Sequence, residues 1–189
     1  KNLEKKSLLE NIKTFLPDII VKSLHEIKNK HASYCKPTLI GPGGTMISDL
    51  NYFNSAFNLS GKFIIDAEAI SSFCNVKGNR DLIEDIKEIP EYSILTPHVG
   101  EFKKFFNLNK ITYVSMRKIQ KIIDGRIIIL KTFNTFIITK EMIYIVDKGP
   151  SILATAGTGD VLSGILVSLI AQGYSRIEAS FLGTYLHAE

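Results

Sequence analysis

The chain contains little cysteine and no long apolar run. Only two cysteines, Cys35 and Cys74, occur among its 189 residues, and no CxxC spacing or cluster of histidine and cysteine is present, so a structural zinc site is not expected. Two unclustered cysteines are typical of a reducing compartment, and no secretory signal is apparent, so we expect a cytoplasmic location. Because no apolar run approaches the roughly 20 residues of a membrane span, no membrane partner is expected.

Charge of one sign is not concentrated anywhere in the sequence. The formal net charge is +4, but acidic residues are interleaved with basic ones even in the most basic stretch, residues 1–30. That pattern is typical of solvated helix faces, so no nucleic-acid partner is expected. Hydrophobic residues make up 45% of the chain and charged residues 22%, which favours a globular protein with a core, and the length favours one domain over residues 1–189.

Short apolar strands alternate with helical patterns along the sequence. Strands are predicted at residues 38–40, 62–66, 92–98 and 127–131, and a hairpin is predicted from residues 135–139 and 142–146. Helices are predicted at residues 1–15, 49–57, 67–73, 81–88, 101–106, 116–123, 159–172 and 175–189. The stretch 127–131 has almost no polar alternation, so it is expected to be buried on both faces. This order of elements predicts an α/β fold in which helices cover a mostly parallel sheet.

Polar or glycine-rich segments follow four of the predicted strands. They are the glycine loop 41–44, Asp66, the stretch 96–101 and Lys131. In a parallel sheet, ligands bind beyond the carboxyl ends of the strands. The four segments therefore predict one ligand site at this edge of the sheet.

The segment from Ala154 to Gly164 places a glycine-rich turn directly before an apolar helix. Gly157 and Gly159 have no Cβ, so the backbone there can approach a ligand closely. The helix start presents unpaired amide groups and the positive end of the helix dipole, which hold anions. Asp160, at the junction, is either a catalytic base beside an anion-binding turn or the N-cap of the helix, and the segment alone favours neither.

Five segments of the sequence, in their order and spacing, resemble the ribokinase-like NAD(P)H-hydrate dehydratases. They are the segments 40–44, 64–70, 95–102, 129–131 and 154–164. The combination of Thr-Pro-His-x-Gly-Glu at residues 96–101 with Gly-Thr-Gly-Asp-Val-Leu-Ser-Gly at residues 157–164 is specific to this family, whereas either motif alone would indicate only a ribokinase-like protein. The resemblance implies the three-layer α/β/α, ribokinase-like fold with a mostly parallel central sheet.

The sequence departs from the family pattern in several places. The family's first strand and its glycine-rich turn would lie upstream of the first residue, so the resemblance implies a fragment or a member shortened at its N-terminus. Thr132 follows Lys131 where the family has glycine, and Glu68 stands where the family has aspartate. Asp160 and His98 match the family pattern.

The resemblance implies a metabolite-repair lyase that returns hydrated NADH or NADPH (NADHX or NADPHX) to the reduced cofactor. ADP or ATP would phosphorylate the C6 hydroxyl of the hydrated nicotinamide ring, with Asp160 as the base and Mg²⁺ on the nucleotide phosphates, and phosphate would then leave. Substrate contacts are implied for Gly43, Gly44, His98 and Asp160. Nucleotide contacts are implied for Lys131, Thr132, Phe133, Asn134, Thr135, Gly157, Thr158 and Gly159.

Several of these residues have an ordinary structural alternative. His98 is either a substrate contact or a surface-loop histidine with a backbone partner, and Lys131 either borders the nucleotide or extends along the sheet edge to solvent. Glu101 either has an outer-sphere role towards magnesium or water, or is simply a carboxylate in the first turn of a helix. The glycine pair 43–44 fits a plain turn equally well, and Asp66 is favoured as a structural carboxylate at a strand end.

Two other functions fit the same residues. One is a ribokinase-like kinase acting on a small molecule such as a vitamin precursor, which would share the glycine-aspartate turn but not usually the 96–101 motif. The other is a non-catalytic remnant that binds nucleotide. The resemblance also implies two protein partners: a second copy of the chain, since family members often form oligomers, and an NAD(P)HX epimerase as a fused domain or a separate protein.

Overall fold

The computed structural model describes residues 37–42, 62–77, 86–147 and 157–189, except for the side chains of residues 75–77. The chain divides into two units, residues 1–34 and 35–189, and every described residue belongs to the second unit. The helices predicted at 1–15 and 49–57, most of the helix predicted at 81–88, and the predicted substrate contacts Gly43 and Gly44 lie outside the described residues. The single domain over residues 1–189 stays a prediction.

A six-stranded sheet forms the centre of the described fold, and its strands lie side by side in chain order. The first four strands are parallel, whereas the last two pair antiparallel as the predicted hairpin requires. The strands are β1 (Thr38–Ile40), β2 (Phe63–Ile65), β3 (Ile94–Leu95), β4 (Ile127–Leu130), β5 (Thr135–Ile138) and β6 (Ile143–Val146). All four residues of β4 are buried, which confirms the burial predicted from their unbroken apolar run.

Helices cover both faces of the sheet and complete three layers. One face packs against α1 (Ala67–Lys77), α2 (Val99–Phe105) and α3 (Tyr113–Gln120), and the other packs against α4 (Thr158–Ala171) and α5 (Arg176–Ala188). The predicted three-layer fold with a mostly parallel sheet is therefore confirmed. No helix among the described residues combines the length and the hydropathy required to span a bilayer.

Successive strand residues enter opposite cores, because side chains alternate across a sheet. Ile64 of β2 packs in the core under α4 and α5, whereas the next residue, Ile65, packs in the core on the other face. Phe102 and Phe106 are buried in that second core with their ring centroids 4.9 Å apart. Burying each such side chain contributes roughly 2 kcal/mol, so α2 is held on the sheet mainly by its apolar face.

Gly41 lets the end of β1 approach Asp66 more closely than a larger residue could. Its φ is +124°, a left-handed conformation that favours glycine, and a Cβ built on it would lie 1.8 Å from the carbonyl oxygen of Asp66. The amide of Asp66 in turn donates to the last carbonyl of β1 at 3.0 Å. This close approach fixes the Asp66 backbone at the edge where the ligand site is predicted.

We predict that Gly41→Ala lowers the free energy of unfolding by about 3 kcal/mol or more, because the new Cβ would overlap a backbone atom that cannot move without disturbing the β1–β2 pairing. Gly164→Ala is the matched control, since Gly164 lies inside α4 and a Cβ there would meet nothing within 4 Å. The control should gain about 0.5–1 kcal/mol from helix propensity. Urea denaturation measures both changes, and equal stability of the two variants would contradict the prediction.

Candidate functional site

Four strand ends meet at the carboxyl edge of the sheet, as the sequence predicts. The amide of Asp66 donates to the last carbonyl of β1, and the amide of Thr96 donates to the last carbonyl of β2 at 3.1 Å. The amide of Lys131 donates to the carbonyl of Pro97 at 2.9 Å, and Lys131 forms an isolated parallel β-bridge with His98. The backbone ladder therefore continues past the strands and aligns the predicted site residues along one edge.

An ion pair and a hydrogen bond join three elements at this edge. Lys131, directly after β4, donates from Nζ to Oδ1 of Asp66 at 2.8 Å, and Ser163 of α4 donates from Oγ to Oδ2 of the same carboxylate at 2.7 Å. The side chain of Asp66 is 1% exposed and that of Lys131 is 22% exposed. A carboxylate buried this deeply needs both partners to offset its lost hydration. Both oxygens of the Asp66 carboxylate are thus bonded to protein groups, and Lys131 pairs with it instead of extending to solvent.

The start of α4 lacks a capping side chain, unlike the starts of three other described helices. The helices α2, α3 and α5 each begin with a capping box between the N-cap residue and the third helical residue. By contrast, α4 begins at Gly157, whose φ of +90° is left-handed, and no side-chain cap is present. The start of a helix carries the positive end of the helix dipole, and a glycine N-cap lets a ligand approach it closely. The geometry of this turn therefore suits the anion binding that the sequence predicts.

Asp160 is not the N-cap of α4. It lies in the first turn, three residues after the cap Gly157, and it is exposed. The Nζ of Lys131 lies beside the same turn, 3.0 Å from the position that a Cβ on Gly159 would take. The structure therefore removes the capping alternative for Asp160 and brings an exposed carboxylate and an ammonium group to one helix start.

The 96–101 motif forms a helix start around the ring of His98. The Nδ1 of His98 accepts hydrogen bonds from the amides of Gly100 at 2.9 Å and Glu101 at 3.3 Å, so the imidazole caps α2. A Cβ on Gly100 would lie 2.8 Å from Cε1 of the ring, which gives a physical reason for the glycine. Because Nδ1 accepts, the neutral ring carries its proton on Nε2 and can act on a ligand only as a donor. His98 thus has the backbone partner of the structural alternative, and its substrate contact stays a prediction.

Glu101 completes this capping box and is buried. Its Oε2 accepts from the amide of His98 at 2.9 Å, and its Oε1 lies 3.6 Å from Nε2 of the same ring. Burial raises the pKa of the Glu101 carboxyl above its ordinary value of 4.5, and the hydrogen bond from His98 and the positive charge of Lys131 limit the rise. The outer-sphere role of Glu101 towards magnesium stays a prediction.

The predicted nucleotide segment 131–135 covers the turn between β4 and β5 and the first residue of β5. Thr132 donates from Oγ1 to the carbonyl of Asn134, which tightens the turn. Phe133 is 85% exposed, more than any other large hydrophobic side chain in the described part of the chain. An aromatic ring held out at the sheet edge offers a face on which a nucleobase can stack.

Sequence reasoning does not identify two side chains of this site. It assigns no site role to Ser163 or to His187, yet His187 of α5 hydrogen-bonds through Nε2 to the carbonyl of Thr158 at 2.7 Å. The available signal for Ser163 is a polar residue beside Leu162 on the apolar face of a helix. His187 leaves no comparable signal, because its partner is a backbone carbonyl that comes near only when α4 and α5 pack together.

The described residues do not form a magnesium cage of their own. Among them, no group of three or more histidine, cysteine, aspartate or glutamate side chains could hold a metal ion. Asp66 is occupied by Lys131 and Ser163, and Glu101 is occupied by its capping box. Magnesium in proteins often keeps several waters and binds through substrate phosphates.

Solved structures that are similar to this chain define the class of fold. A ribokinase-like superfamily protein from Enterococcus faecalis is 26% identical, with a TM-score of 0.75 over 95% of this chain and 63% of that protein. The ADP/ATP-dependent NAD(P)H-hydrate dehydratase from Bacillus subtilis, co-crystallized with ATP/Mg²⁺, is 20% identical, with a TM-score of 0.72 over 96% of this chain and 65% of that protein. The fold is therefore the ribokinase-like fold.

Sequence comparison then defines the family. A family model described as NAD(P)H-hydrate dehydratase matches residues 4–189, so the chain belongs to this family. The ADP-dependent (S)-NAD(P)H-hydrate dehydratase of Neisseria meningitidis serogroup B is 34% identical over 66% of this chain and 42% of that protein. The bifunctional NAD(P)H-hydrate repair enzyme Nnr of Dictyoglomus turgidum is 30% identical over 78% of this chain and 29% of that protein. The chain thus spans less than half the length of these curated relatives.

The buried capping box of α2 predicts a pH-dependent stability. Because the pKa of Glu101 is raised in the folded protein, the folded state binds this proton more tightly than the unfolded state. Its contribution to stability is therefore present in full below about pH 4.5 and is lost as the pH rises through the raised value. Glu101→Gln keeps the capping box but has no proton to lose. The stability of the wild type relative to this variant should fall as the pH rises from about 4 to about 7.

Glu178→Gln is the matched control, since Glu178 holds the same position in the capping box of α5 but is exposed. Hydrogen bonds from the side chain and backbone of Ser175 lower the pKa of Glu178, so the wild type should gain stability relative to this variant as the pH rises. Urea unfolding of the three proteins across the range measures both trends. Trends of the same sign would show that burial does not govern the titration of Glu101.

Proposed function

We propose that this chain catalyses the nucleotide-dependent dehydration of hydrated NADH or NADPH (NADHX or NADPHX) to NADH or NADPH. The family match over residues 4–189 supports this reaction, as do relatives named as ADP-dependent dehydratases and repair enzymes. The enzyme would be a carbon–oxygen lyase of metabolite repair, with its active site at the carboxyl edge of the sheet.

The observation that carries the proposal is the set of groups at the start of α4. The N-cap is Gly157, which has no side chain to cap the helix, the ammonium group of Lys131 lies beside Gly159, and Asp160 exposes a carboxylate in the same turn. Amides and an ammonium group stabilise the charge of a phosphoryl group in transfer, and a carboxylate can accept the proton of the attacking hydroxyl. A site that only bound anions would need the first two groups but not the third.

In the first step, the C6 hydroxyl oxygen of the hydrated nicotinamide ring attacks the terminal phosphorus of ADP or ATP. A bond forms between this oxygen and phosphorus, the bond from phosphorus to the leaving nucleotide oxygen breaks, and the hydroxyl proton passes to Asp160. The amides of residues 157–159 and the ammonium group of Lys131 stabilise the phosphoryl charge during transfer.

In the second step, phosphate leaves with the electron pair of the C6–oxygen bond. The lone pair of the ring nitrogen forms a π bond to C6 as phosphate departs, and loss of a proton from C5 restores the ring double bond. One hydrated cofactor and one ADP or ATP thus give one reduced cofactor, one AMP or ADP, one phosphate and one proton. Magnesium, carried on the nucleotide, would neutralise part of the phosphate charge.

The remaining contacts are assigned by position along the same edge. Residues 131–135 would border the nucleotide, with Phe133 exposed for stacking on the base. His98 would donate from Nε2 to an oxygen of the substrate, such as the carbonyl of the nicotinamide amide. Gly43 and Gly44, which would allow close approach of the substrate, lie outside the described residues.

The proposal extends to location and partners. The cytoplasm is the proposed location, because two cysteines in unrelated contexts are typical of a reducing compartment. An epimerase partner is supported by the relatives from Dictyoglomus turgidum and Helicobacter pylori, which are named bifunctional NAD(P)H-hydrate repair enzymes. A second copy of the chain is the other proposed partner.

Asp160→Asn should abolish dehydration while nucleotide binding persists, because asparagine keeps the size of the side chain but cannot accept the hydroxyl proton. The expected loss in kcat is about 10²–10⁴-fold, the usual contribution of a general base. The assay combines the chain, NADHX or NADPHX, Mg²⁺ and ADP or ATP, and follows the reduced-nicotinamide absorbance at about 340 nm.

Glu178→Gln is the control for this experiment, since it makes the corresponding change in the first turn of α5 and should keep the wild-type rate. Nucleotide-dependent recovery in Asp160→Asn at a rate close to the wild type would exclude Asp160 as the base. Phosphorylation of a vitamin precursor without recovery of the absorbance would favour the small-molecule kinase. Nucleotide binding without any turnover would favour the non-catalytic remnant.

Substitutions of His98 should separate its capping role from its substrate role. Asparagine is a good N-cap, so His98→Asn should keep the free energy of unfolding within about 0.5 kcal/mol of the wild type, whereas His98→Ala should lose about 1 kcal/mol. Both variants should raise KM for the hydrated cofactor, because both remove the Nε2 donor. Thermal unfolding and steady-state kinetics measure the two effects. A wild-type KM in His98→Asn would limit this residue to capping α2.

A further inference from the structure

Lys131 places a positive charge beside the N-terminal end of α4, the end of a helix that disfavours positive charge. Its Nζ lies 3.0 Å from the position of a Cβ on Gly159, in the first turn of α4, and the N-terminal end of a helix carries positive partial charge. The side chain is only 22% exposed, so hydration offsets little of this cost. An ammonium group in this position is favourable only with anions nearby. Asp66 supplies one anion, and a phosphoryl group in transfer would supply a second.

Asp66 fixes the direction of the Lys131 side chain. One carboxylate oxygen accepts from Nζ at 2.8 Å, and the other accepts from Ser163 at 2.7 Å. The carboxylate cannot rotate without losing one of these bonds, and because it is fully buried, water cannot replace a lost partner. Ser163 lies three residues after Asp160 in α4, so its hydrogen bond also ties the helix that carries the base to the sheet.

We infer that Asp66 and Ser163 are positioning residues for phosphoryl transfer, an inference that rests on the proposed function. Ser163 orients the carboxylate of Asp66, and Asp66 holds the ammonium group of Lys131 beside Gly159. The ammonium group then lies next to Gly159, the residue before the proposed base Asp160. In the proposed reaction this position is close to the oxygen–phosphorus bond that forms. Displacement of the ammonium group should therefore reduce the stabilisation of the transition state more than the affinity for the bound nucleotide.

Ser163→Ala tests this inference with the smallest change. It removes the hydrogen bond to Asp66 but leaves the ion pair, so kcat should fall about 10-fold while the Kd for ADP changes by less than about threefold. Ser180→Ala is the matched control, because Ser180 is equally buried on α5 but donates to the carbonyl of Arg176 in its own helix at 2.8 Å. Both variants should lose similar stability, and only Ser163→Ala should lose turnover.

A double-mutant cycle shows whether Ser163 acts through Lys131. Lys131→Gln removes the ammonium group. In that background Ser163→Ala should lower kcat by less than about twofold, because Asp66 no longer has an ammonium group to hold in position. Asp66→Asn should lower kcat about 100-fold. If this buried variant does not fold, the comparison of Ser163→Ala with Ser180→Ala still tests the inference. Independent effects of Ser163→Ala and Lys131→Gln, or equal kcat for the two serine variants, would overturn the inference.

A readout without hydrated cofactor separates this inference from the proposed function. AMP or ADP with aluminium fluoride and Mg²⁺ mimics the phosphoryl group in transfer from ADP or ATP, and calorimetry measures its binding. Ser163→Ala should weaken binding of the mimic about 10-fold and of the nucleotide alone less than about threefold. That result in a chain that never restores NADH would reject the dehydratase and support the positioning roles. Equal weakening of both ligands would overturn the positioning roles and leave the dehydratase standing.

Discussion

The buried carboxylate of Asp66 is the constraint on which the site depends. A fully buried charge is stable only with partners, and these come from Lys131 at the end of β4 and Ser163 on α4. The close approach of Gly41 holds its backbone from the side of β1. One side chain therefore ties two strand ends to the helix that carries Asp160. Because a buried ion pair adds little net stability, its main effect is to select this geometry.

The starts of α2 and α4 differ in whether a side chain caps the helix. The start of α2 is closed by His98 and Glu101, which satisfy its amides and fix the tautomer of the imidazole. The start of α4 has a glycine in place of a capping side chain. Ordinary capping contributes about 1 kcal/mol, so an end without it forgoes that stability. A ligand with negative charge would recover it, which is consistent with the proposed phosphoryl transfer.

Three carboxyl groups near this edge are distinguished by their surroundings. Asp66 is occupied by an ammonium group and a hydroxyl, and Glu101 is buried in a capping box that raises its pKa. Only Asp160 is exposed in the first turn of an uncapped helix. Burial and partners thus favour Asp160 over the other two as the proposed base, whereas the residue type alone would allow any of the three.

The sequence by itself determined the alternation of strands and helices, the mostly parallel sheet and the segments that meet at its edge, because apolar periodicity and glycine-rich turns are local patterns; the three layers were implied by the family resemblance. It left Asp160 between a cap and a base, and it assigned no role to Ser163. Only the tertiary structure decided that Gly157 is the N-cap of α4 and that Ser163 bonds to Asp66, since Asp66 lies 65 residues from Lys131 and 97 residues from Ser163 along the chain. Contacts over such separations arise from the packing of layers, and no local pattern records which side chains that packing brings within hydrogen-bond distance.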